Sequence, residues 1–261
     1  MKKILFALLA LTMLLTACAS EEKAPEAQKA EEAPKAEKLT VATDTNFPPF
    51  EFKDPATGNH TGFDVELWAA IAKEIGVEYD LQPMDFNGII PGLQSSQVDV
   101  GIAGMTIKPE RQEVVDFSDG YYNAGLLILV RTDNADVNGV EDLKGKVVAT
   151  KLGTTSEDFV KAEANAADVK LFPNNDAMFM ELVAKGCDAV VFDSPVIADF
   201  MNKAGKGLVK VVGPLYKGQS YGIAFPKGSA LKAKVDAALK TLRENGTYRD
   251  LYVKWFQTEP K

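Results

Sequence analysis

Residues 99–122 read DVGIAGMTIKPERQEVVDFSDGYY, and the predictions for the fold start from this stretch. The apolar run 100–105 has the length of a buried strand. Pro109 suits the first position of a short helix, so Arg111 lies just past a strand end, where α/β folds bind their ligands. A guanidinium is always charged and matches a carboxylate with two hydrogen bonds. Taken alone, Arg111 would fit a surface ion pair with a neighbouring glutamate better, but the sequence around it favours a ligand.

The composition excludes several classes of function. A chain of 261 residues is long enough for two lobes. Its formal net charge of −8 repels phosphate backbones, so nucleic acid is not an expected partner. The only histidine, His60, lies in a polar loop, which argues against a His-pair metal site and against a His-dependent triad. We expect no metal and no other cofactor.

The N-terminus is typical of an exported protein. Two lysines precede the apolar run 4–15, which is too short to span a bilayer, so residues 1–17 are predicted to be a signal peptide. The small residues before Cys18 resemble a bacterial lipobox and imply cleavage there and acylation of the thiol; plain secretion is the alternative. Residues 18–38 are predicted to be a solvated tether. This places the protein in the periplasm or on the outer face of the cytoplasmic membrane, held by its lipid. Cys187 then has no disulfide partner, and its apolar surroundings predict a buried thiol.

The order of strands and helices predicts an α/β protein with two lobes. One strand ends at Asp44, and a helix follows with Asp64 as its N-cap and Gly76 as its stop. Strands and helices alternate until a long extended run at 119–130, after which a second α/β series follows. After another extended run come two helices, 229–245 and 247–256, with no strand between them. We therefore predict lobe 1 at 39–120 and 222–261, lobe 2 at 126–216, hinge strands at 121–125 and 217–221, and a ligand cleft between the lobes.

Seven segments together resemble a known family. They are VATDTNFPPFEF, GFDVELWAAIAKEIG, PMDFNGIIPGLQ, GMTIKPERQEVVDFSDGYY, VFDSP, YGIAFPKGS and LKTLRENGTYRDLYVKWF. In this order they are similar to the type-2 periplasmic amino-acid-binding proteins of ABC importers (solute-binding protein family 3), and most of all to the glutamine-binding members. The resemblance implies a monomer that closes on a free L-amino acid and delivers it to an ABC permease in the cytoplasmic membrane.

The resemblance also implies how the backbone end of an amino acid is held. Arg111 would clamp the carboxylate, with Gly104, Met105 and Thr106 at the same strand end. Thr154 and Thr155 precede a helix whose free N–H groups favour an anion, although a purely structural N-cap is the alternative. Asp193 would accept from the α-ammonium, or would only cap the helix that follows.

The other end of the ligand is assigned to four residues. Asp44 accepts from an amide NH2 and Lys151 donates to an amide oxygen, which suits glutamine. Phe47 and Phe86 would hold the aliphatic stem between their rings, or would be ordinary core aromatics. The expected ligand-binding set is Asp44, Phe47, Phe86, Gly104, Met105, Thr106, Arg111, Lys151, Thr154, Thr155 and Asp193.

Two positions depart from the glutamine-binding pattern. Phe192 stands in place of a histidine, and Thr155 in place of a glycine, which is closer to the arginine-binding branch. Arginine, or both ligands, is therefore the alternative, although Lys151 would repel a guanidinium. An alternative of another class is an enzyme of the periplasmic cyclohexadienyl dehydratase type, which needs a general acid in the cleft. Glu157 and Asp158 are the nearby candidates, and both fit the first turn of a helix better, so we expect a binding protein rather than an enzyme.

Overall fold

The computed structural model describes residues 38–260. The predicted signal peptide, the predicted acylation site Cys18 and nearly all of the predicted tether lie outside the described residues. No helix within the described range is both long enough and apolar enough to cross a membrane.

The chain forms thirteen strands and eight α-helices in the described range. The first part contains β1 (Lys38–Asp44), β2 (Asn46–Phe47), β3 (Glu51–Lys53), β4 (His60–Thr61), α1 (Phe63–Ile75), β5 (Glu78–Met84), α2 (Phe86–Gln94), β6 (Val100–Gly101), α3 (Pro109–Gln112) and β7 (Val115–Phe117). The second part contains β8 (Tyr122–Arg131), a 3-10 helix (Val140–Leu143), β9 (Val147–Lys151), α4 (Thr155–Glu163), β10 (Asp168–Phe172), α5 (Asn175–Val183), β11 (Ala189–Asp193), α6 (Ser194–Asn202), β12 (Val209–Tyr221), β13 (Ala224–Pro226), α7 (Leu231–Glu244) and α8 (Thr247–Phe256).

Two five-stranded sheets define two lobes. The first sheet has the order β5-β1-β6-β13-β7 and the second the order β10-β9-β11-β8-β12, while β2, β3 and β4 form a small third sheet. Three strands of each large sheet run parallel. In the first sheet β1 pairs with β5 and β6, and in the second sheet β9 pairs with β10 and β11. Strands β13 and β8 add antiparallel neighbours. This arrangement confirms the predicted α/β class.

The chain leaves the first lobe and later returns to it. Strand β13 follows the last strand of the second sheet, yet it pairs with β6 and β7 of the first sheet. The last two helices, α7 and α8, then pack on α1. The two connecting strands, β8 and β12, pair antiparallel along their length and end with Tyr122 opposite Tyr221. The predicted hinge segments lie at this end of the pair.

Two local predictions were wrong in detail. Helix α1 begins at Phe63 with Gly62 as its N-cap, and Asp64 makes no cap. A Cβ at position 62 would lie 2.0 Å from the Phe50 carbonyl oxygen, so glycine is needed at this entry. The predicted strand 100–105 is a strand only at Val100–Gly101, because the chain turns away at Gly104, whose φ is +53°. The predicted stop at Gly76 is confirmed by its left-handed conformation.

Candidate functional site

One small cavity between the lobes is lined by ten of the eleven predicted binding residues. They are Asp44, Phe47, Phe86, Gly104, Thr106 and Arg111 from the first lobe and Lys151, Thr154, Thr155 and Asp193 from the second. The cavity has a volume of about 10 Å³. That is room for about one water molecule, so an amino acid can enter only if the two walls separate.

Arg111 connects the two walls. It lies in α3 and is only 5% exposed. Its Nη1 donates to the Thr106 carbonyl at 2.9 Å, and its Nη2 donates across the cleft to the Gly153 carbonyl at 3.0 Å. Burial lowers the pKa of Arg111 to about 10, with Asp158 and Asp193 opposing the change, so the guanidinium remains charged at neutral pH. It also lies over the Phe86 ring, 5.3 Å from the centroid.

Asp193 faces the same cavity with an unused acceptor. It ends β11 and occupies the N-cap position of α6, but its side chain makes no cap hydrogen bond. The Tyr221 hydroxyl donates to its Oδ2, while its Oδ1 is buried and has no hydrogen-bond partner. Burial raises the pKa of Asp193 to about 6, and the Tyr221 hydrogen bond and the charges of Arg111 and Lys151 oppose this. A cationic donor in the cavity would satisfy the free oxygen.

Asp44 and Lys151 form a buried ion pair at another part of the cavity. Asp44 ends β1 and Lys151 ends β9, and their side chains are 0% and 1% exposed. The Lys151 ammonium donates directly to Asp44 Oδ2 and, at 3.3 Å, to the Asn46 carbonyl. Burial raises the pKa of Asp44, and the adjacent ammonium opposes the rise by stabilising the carboxylate. A polar ligand group that inserts here meets one strong acceptor and one strong donor.

Thr154 and Thr155 lie where the second lobe presents a helix end. Thr154 is the N-cap of α4, and its hydroxyl accepts from the Glu157 N–H. It therefore has the structural capping role that was the alternative to ligand binding. Its hydroxyl also donates to the Lys151 carbonyl at 2.6 Å. Both threonines nevertheless line the cavity. The N-terminal end of α4 therefore borders the cavity.

Each of the two phenylalanines lies beside one of the cations that line the cavity. Phe86 contacts Arg111, and Phe47 lies with its ring centroid 5.8 Å from the Lys151 ammonium. Phe192, one of the two departures from the glutamine-binding pattern, packs edge-on against Phe47 at 5.8 Å and is not among the residues that line the cavity.

The structure does not bring Met105 to the cavity. Its side chain is fully buried in the core of the first lobe, in a cluster that includes Phe86 and Val115. Gly104 and Thr106 on either side of it line the cavity, so Met105 belongs to the core behind this wall rather than to the cavity itself.

Three further residues belong to the site that the sequence analysis did not select. The Gly153 carbonyl accepts from Arg111, Tyr221 donates to Asp193, and the Asn46 carbonyl accepts from Lys151. Asn46 lies two positions after Asp44, and Gly153 lies two positions after Lys151. This proximity to a selected residue was the only sign in the sequence that either would contact the site. Tyr221 lies 28 residues from Asp193 in the chain, and nothing local connects the two.

The acidic residues considered for catalysis are already paired. Glu157 accepts from the Gly153 N–H at 2.7 Å and from Lys161 at 2.5 Å, and Asp158 accepts from Lys108 at 2.5 Å. Within residues 38–260, no group of three or more histidine, cysteine, aspartate and glutamate side chains is placed to hold a metal ion.

Comparisons with known proteins agree with this geometry. The chain is 37% identical to the arginine-binding extracellular protein ArtP of Bacillus subtilis (strain 168), over 99% of this chain and 100% of the relative. It is 34% identical to the ABC transporter glutamine-binding protein GlnH of the same organism, over 100% and 99% of the two chains. A solved ancestral arginine-binding protein bound to glutamine matches at 46% identity with a TM-score of 0.81, covering 85% of this chain and 98% of the other.

These matches extend over both lobes and confirm the two-lobe fold of periplasmic amino-acid-binding proteins. The profile of the bacterial extracellular solute-binding proteins, family 3, matches residues 39–258. The chain therefore belongs to the bacterial extracellular solute-binding proteins of family 3, and the predicted relationship to the amino-acid-binding proteins of ABC importers is confirmed.

Proposed function

We propose that this protein captures a free polar L-amino acid, glutamine in the first place and arginine in the second, and delivers it to an ABC permease. The observation that carries the proposal is the buried Asp193 Oδ1, which lacks a donor and lines the same cavity as the Arg111 guanidinium. An α-ammonium and an α-carboxylate are the two charges that such a pair complements. A zwitterion bound between them contacts both lobes at once and so favours the closed form.

The ion pair at the other part of the cavity supports glutamine. Asp44 and Lys151 contact each other directly, so a ligand side chain that reaches this part of the cavity meets a strong acceptor and a strong donor side by side. A terminal amide can bind both with two charge-assisted hydrogen bonds, one to each partner. A guanidinium placed there would meet the Lys151 ammonium as well as the Asp44 carboxylate, and the like charges repel.

Arginine, alone or together with glutamine, is the second ligand we consider. One relative is named as arginine-binding, and a solved protein that is also named as arginine-binding holds glutamine. Those names describe other proteins, yet they support the idea that one site of this kind accommodates either side chain. Thr155, which lines the cavity, is the lining residue that departs from the glutamine-binding pattern.

We further propose that the protein works as a monomer tethered by a lipid on Cys18 at the outer face of the cytoplasmic membrane. Paired strands β8 and β12 would serve as the hinge, with bending at 121–125 and 217–221. Catalysis is not part of the proposal, because the acidic side chains of α4 are engaged in hydrogen bonds and ion pairs.

A thermal-shift screen of the full chain against the common amino acids tests the proposal. Glutamine should raise the melting temperature most, since stabilisation follows ligand occupancy. Arg111→Lys keeps the positive charge but cannot form a bidentate pair of hydrogen bonds with the ligand carboxylate. It should therefore weaken glutamine binding by about tenfold or more. Arg249→Lys is the matched control, because that arginine is exposed and pairs with Glu259. Unchanged glutamine affinity in Arg111→Lys would remove Arg111 from the site.

A further inference from the structure

A second cavity, here called the outer pocket, opens between the lobes beside the ion pair. It has a volume of about 350 Å³. Asn46, Pro48 and Phe52 line it from the first lobe, and Asn175, Asp176 and Asp199 line it from the second. None of these residues belongs to the cavity between Arg111 and Asp193. The outer pocket is therefore a separate space on the cleft.

The outer pocket contains buried polar groups without partners. Asn175 is only 1% exposed, and neither its amide oxygen nor its amide nitrogen has a hydrogen-bond partner. The Oδ1 atom of Asn46 is also buried and without a partner. Asn174, not Asn175, caps helix α5, so the Asn175 side chain is not needed for the fold of the helix. Burying unpartnered amides is unfavourable, and a polar group in the pocket would offset that cost.

Asn46 separates the outer pocket from the ion pair. Its carbonyl accepts from the Lys151 ammonium at 3.3 Å, and its N–H donates to Asp44 Oδ1 at 3.4 Å. Its side-chain Nδ2 donates across the cleft to Asp176 Oδ2 at 3.0 Å. Asn46 therefore contacts the ion pair through its backbone and Asp176 through its side chain, and a ligand side chain that passed Asn46 would enter the outer pocket.

The acceptors around the outer pocket fit a cation. Asp176 has no ion-pair partner among residues 38–260, whereas Asp199 is already paired with Lys203 at 2.7 Å. The acceptors are the Asp176 carboxylate, whose Oδ2 already accepts from Asn46, and the unpartnered amide oxygens of Asn46 and Asn175. Two lysines also border the pocket: Lys53 is exposed to solvent, and Lys203 is paired with Asp199. A planar guanidinium with five donors can use several such acceptors together.

We propose that the outer pocket is a subsite for the cationic end of a long ligand side chain, with Asn175 and Asp176 as its acceptors. Glutamine ends at Asp44 and Lys151, while the guanidinium of arginine extends beyond Lys151 and binds Asp176. This inference rests on the proposed function and adds to it how one site admits two ligands of different length and charge.

Asp176→Asn tests the subsite in the full chain. Asparagine can still accept from Asn46, so the contact across the cleft is kept and only the charge is removed. Calorimetric titration should show arginine binding weakened by about tenfold, since hydrogen bonds to charged groups are the strong ones, and glutamine binding changed by less than about twofold. Asp168→Asn, on an exposed position of the same lobe, changes the net charge equally and should leave both affinities unchanged.

A neutral analogue gives a second readout. Citrulline has the length of arginine without its charge, so it should bind the unaltered protein more weakly than arginine, and Asp176→Asn should reduce that difference. Equal losses of glutamine and arginine, or no loss of either, would overturn the subsite. Arginine that does not bind the unaltered protein while glutamine does would overturn the subsite and leave the proposed function intact. Failure of every amino acid to bind would contradict the proposed function itself.

Discussion

In the closed form without a ligand, the buried charge of Asp193 lowers the stability of the protein. Its carboxylate is buried, one oxygen lacks a donor, and burial raises its pKa from an ordinary 3.8 to about 6. The folded protein therefore binds a proton at this site more readily than the unfolded chain does. Stability is consequently lost as the pH rises from about 4 to about 6, and the full penalty is present above that range. An α-ammonium that pairs with Oδ1 would relieve this penalty when the ligand binds.

Asp193→Asn should stabilise the protein without a ligand. At about pH 7.5 the variant should gain up to about 3 kcal/mol in the free energy of unfolding, because a pKa difference of two units corresponds to about 2.7 kcal/mol. The gain should shrink toward zero below about pH 3, where Asp193 is protonated in both states. Urea unfolding of both proteins at several pH values measures it.

The same variant should lose its response to glutamine, since an amide cannot replace the charge that faces the ligand ammonium. Asp64, whose pKa burial also raises to about 6, is present in both proteins and its contribution cancels in the comparison. A variant that is less stable than the unaltered protein at about pH 7.5 would show that the buried charge is not costly.

At the level of single residues, the sequence selected the candidate binding residues by their positions at strand ends. Asp44, Lys151 and Asp193 each end a strand, and this is visible in the apolar runs that precede them. What those side chains contact was not visible. The donor to Asp193 is Tyr221 from β12, and that pairing depends on how two distant strands come together.

The segment between β6 and α3 forms one wall of the site. Gly104 lies in it with φ +53°, and its N–H donates to Asp64 Oδ2 at 2.8 Å. The Tyr121 hydroxyl donates to the same carboxylate at 2.6 Å. A Cβ on Gly104 would lie 2.3 Å from a ring carbon of Phe47, so the segment and the ring are packed without spare room.

Gly104→Ala should therefore weaken ligand binding as well as stability. Gly76→Ala is the matched control, because Gly76 has φ +71° and nothing within 4 Å of an added Cβ. Both variants should lose about 1–2 kcal/mol of stability to the left-handed backbone. Only Gly104→Ala should displace Phe47 and reduce glutamine affinity, by about tenfold or more in a calorimetric titration. Equal glutamine affinities in the two variants would contradict this role of the close contact.

At the level of elements, the helical patterns near the C-terminus gave accurate bounds, whereas the N-cap of α1 was predicted two residues away from its true position. Helix α8 spans the predicted residues, and α7 begins two residues later and ends one residue earlier than predicted. Asp64 fits the local pattern of an N-cap, but its tertiary partners Gly104 and Tyr121 determine its place inside the first turn. Local rules could not include those partners, because they lie 40 and 57 residues away.

The closed arrangement of the whole molecule depends on contacts across the cleft. Near Arg111 the lobes are joined by Lys108 and Asp158, and near Lys151 by Asn46 and Asp176. The sequence predicted two lobes because two extended runs interrupt the alternation of strands and helices. In addition, the last two helices have no strand between them and must pack on a sheet formed earlier in the chain. The sequence could not predict these contacts, since Asn46 and Asp176 are 130 residues apart.

The Lys108–Asp158 pair should favour the closed form without contributing to the fold of either lobe. Its Nζ–Oδ2 distance is 2.5 Å, and the two side chains are 25% and 61% exposed. An ion pair this exposed contributes at most about 1 kcal/mol, so Lys108→Ala should weaken glutamine binding by up to about fivefold at low salt. Because the pair forms only when the lobes meet, the loss should appear in affinity and not in the unfolding free energy of the open protein.

Salt provides the decisive comparison for this pair. At about 1 M salt the Debye length falls to about 3 Å, so the affinity difference between Lys108→Ala and the unaltered protein should disappear. Lys161→Ala is the matched control, since Lys161 pairs with Glu157 of its own helix and does not cross the cleft. A double-mutant cycle with Asp158→Ala should assign the low-salt loss to the pair. An additive cycle, or a loss that persists at high salt, would show that Lys108 acts on the ligand by another route than closing the lobes.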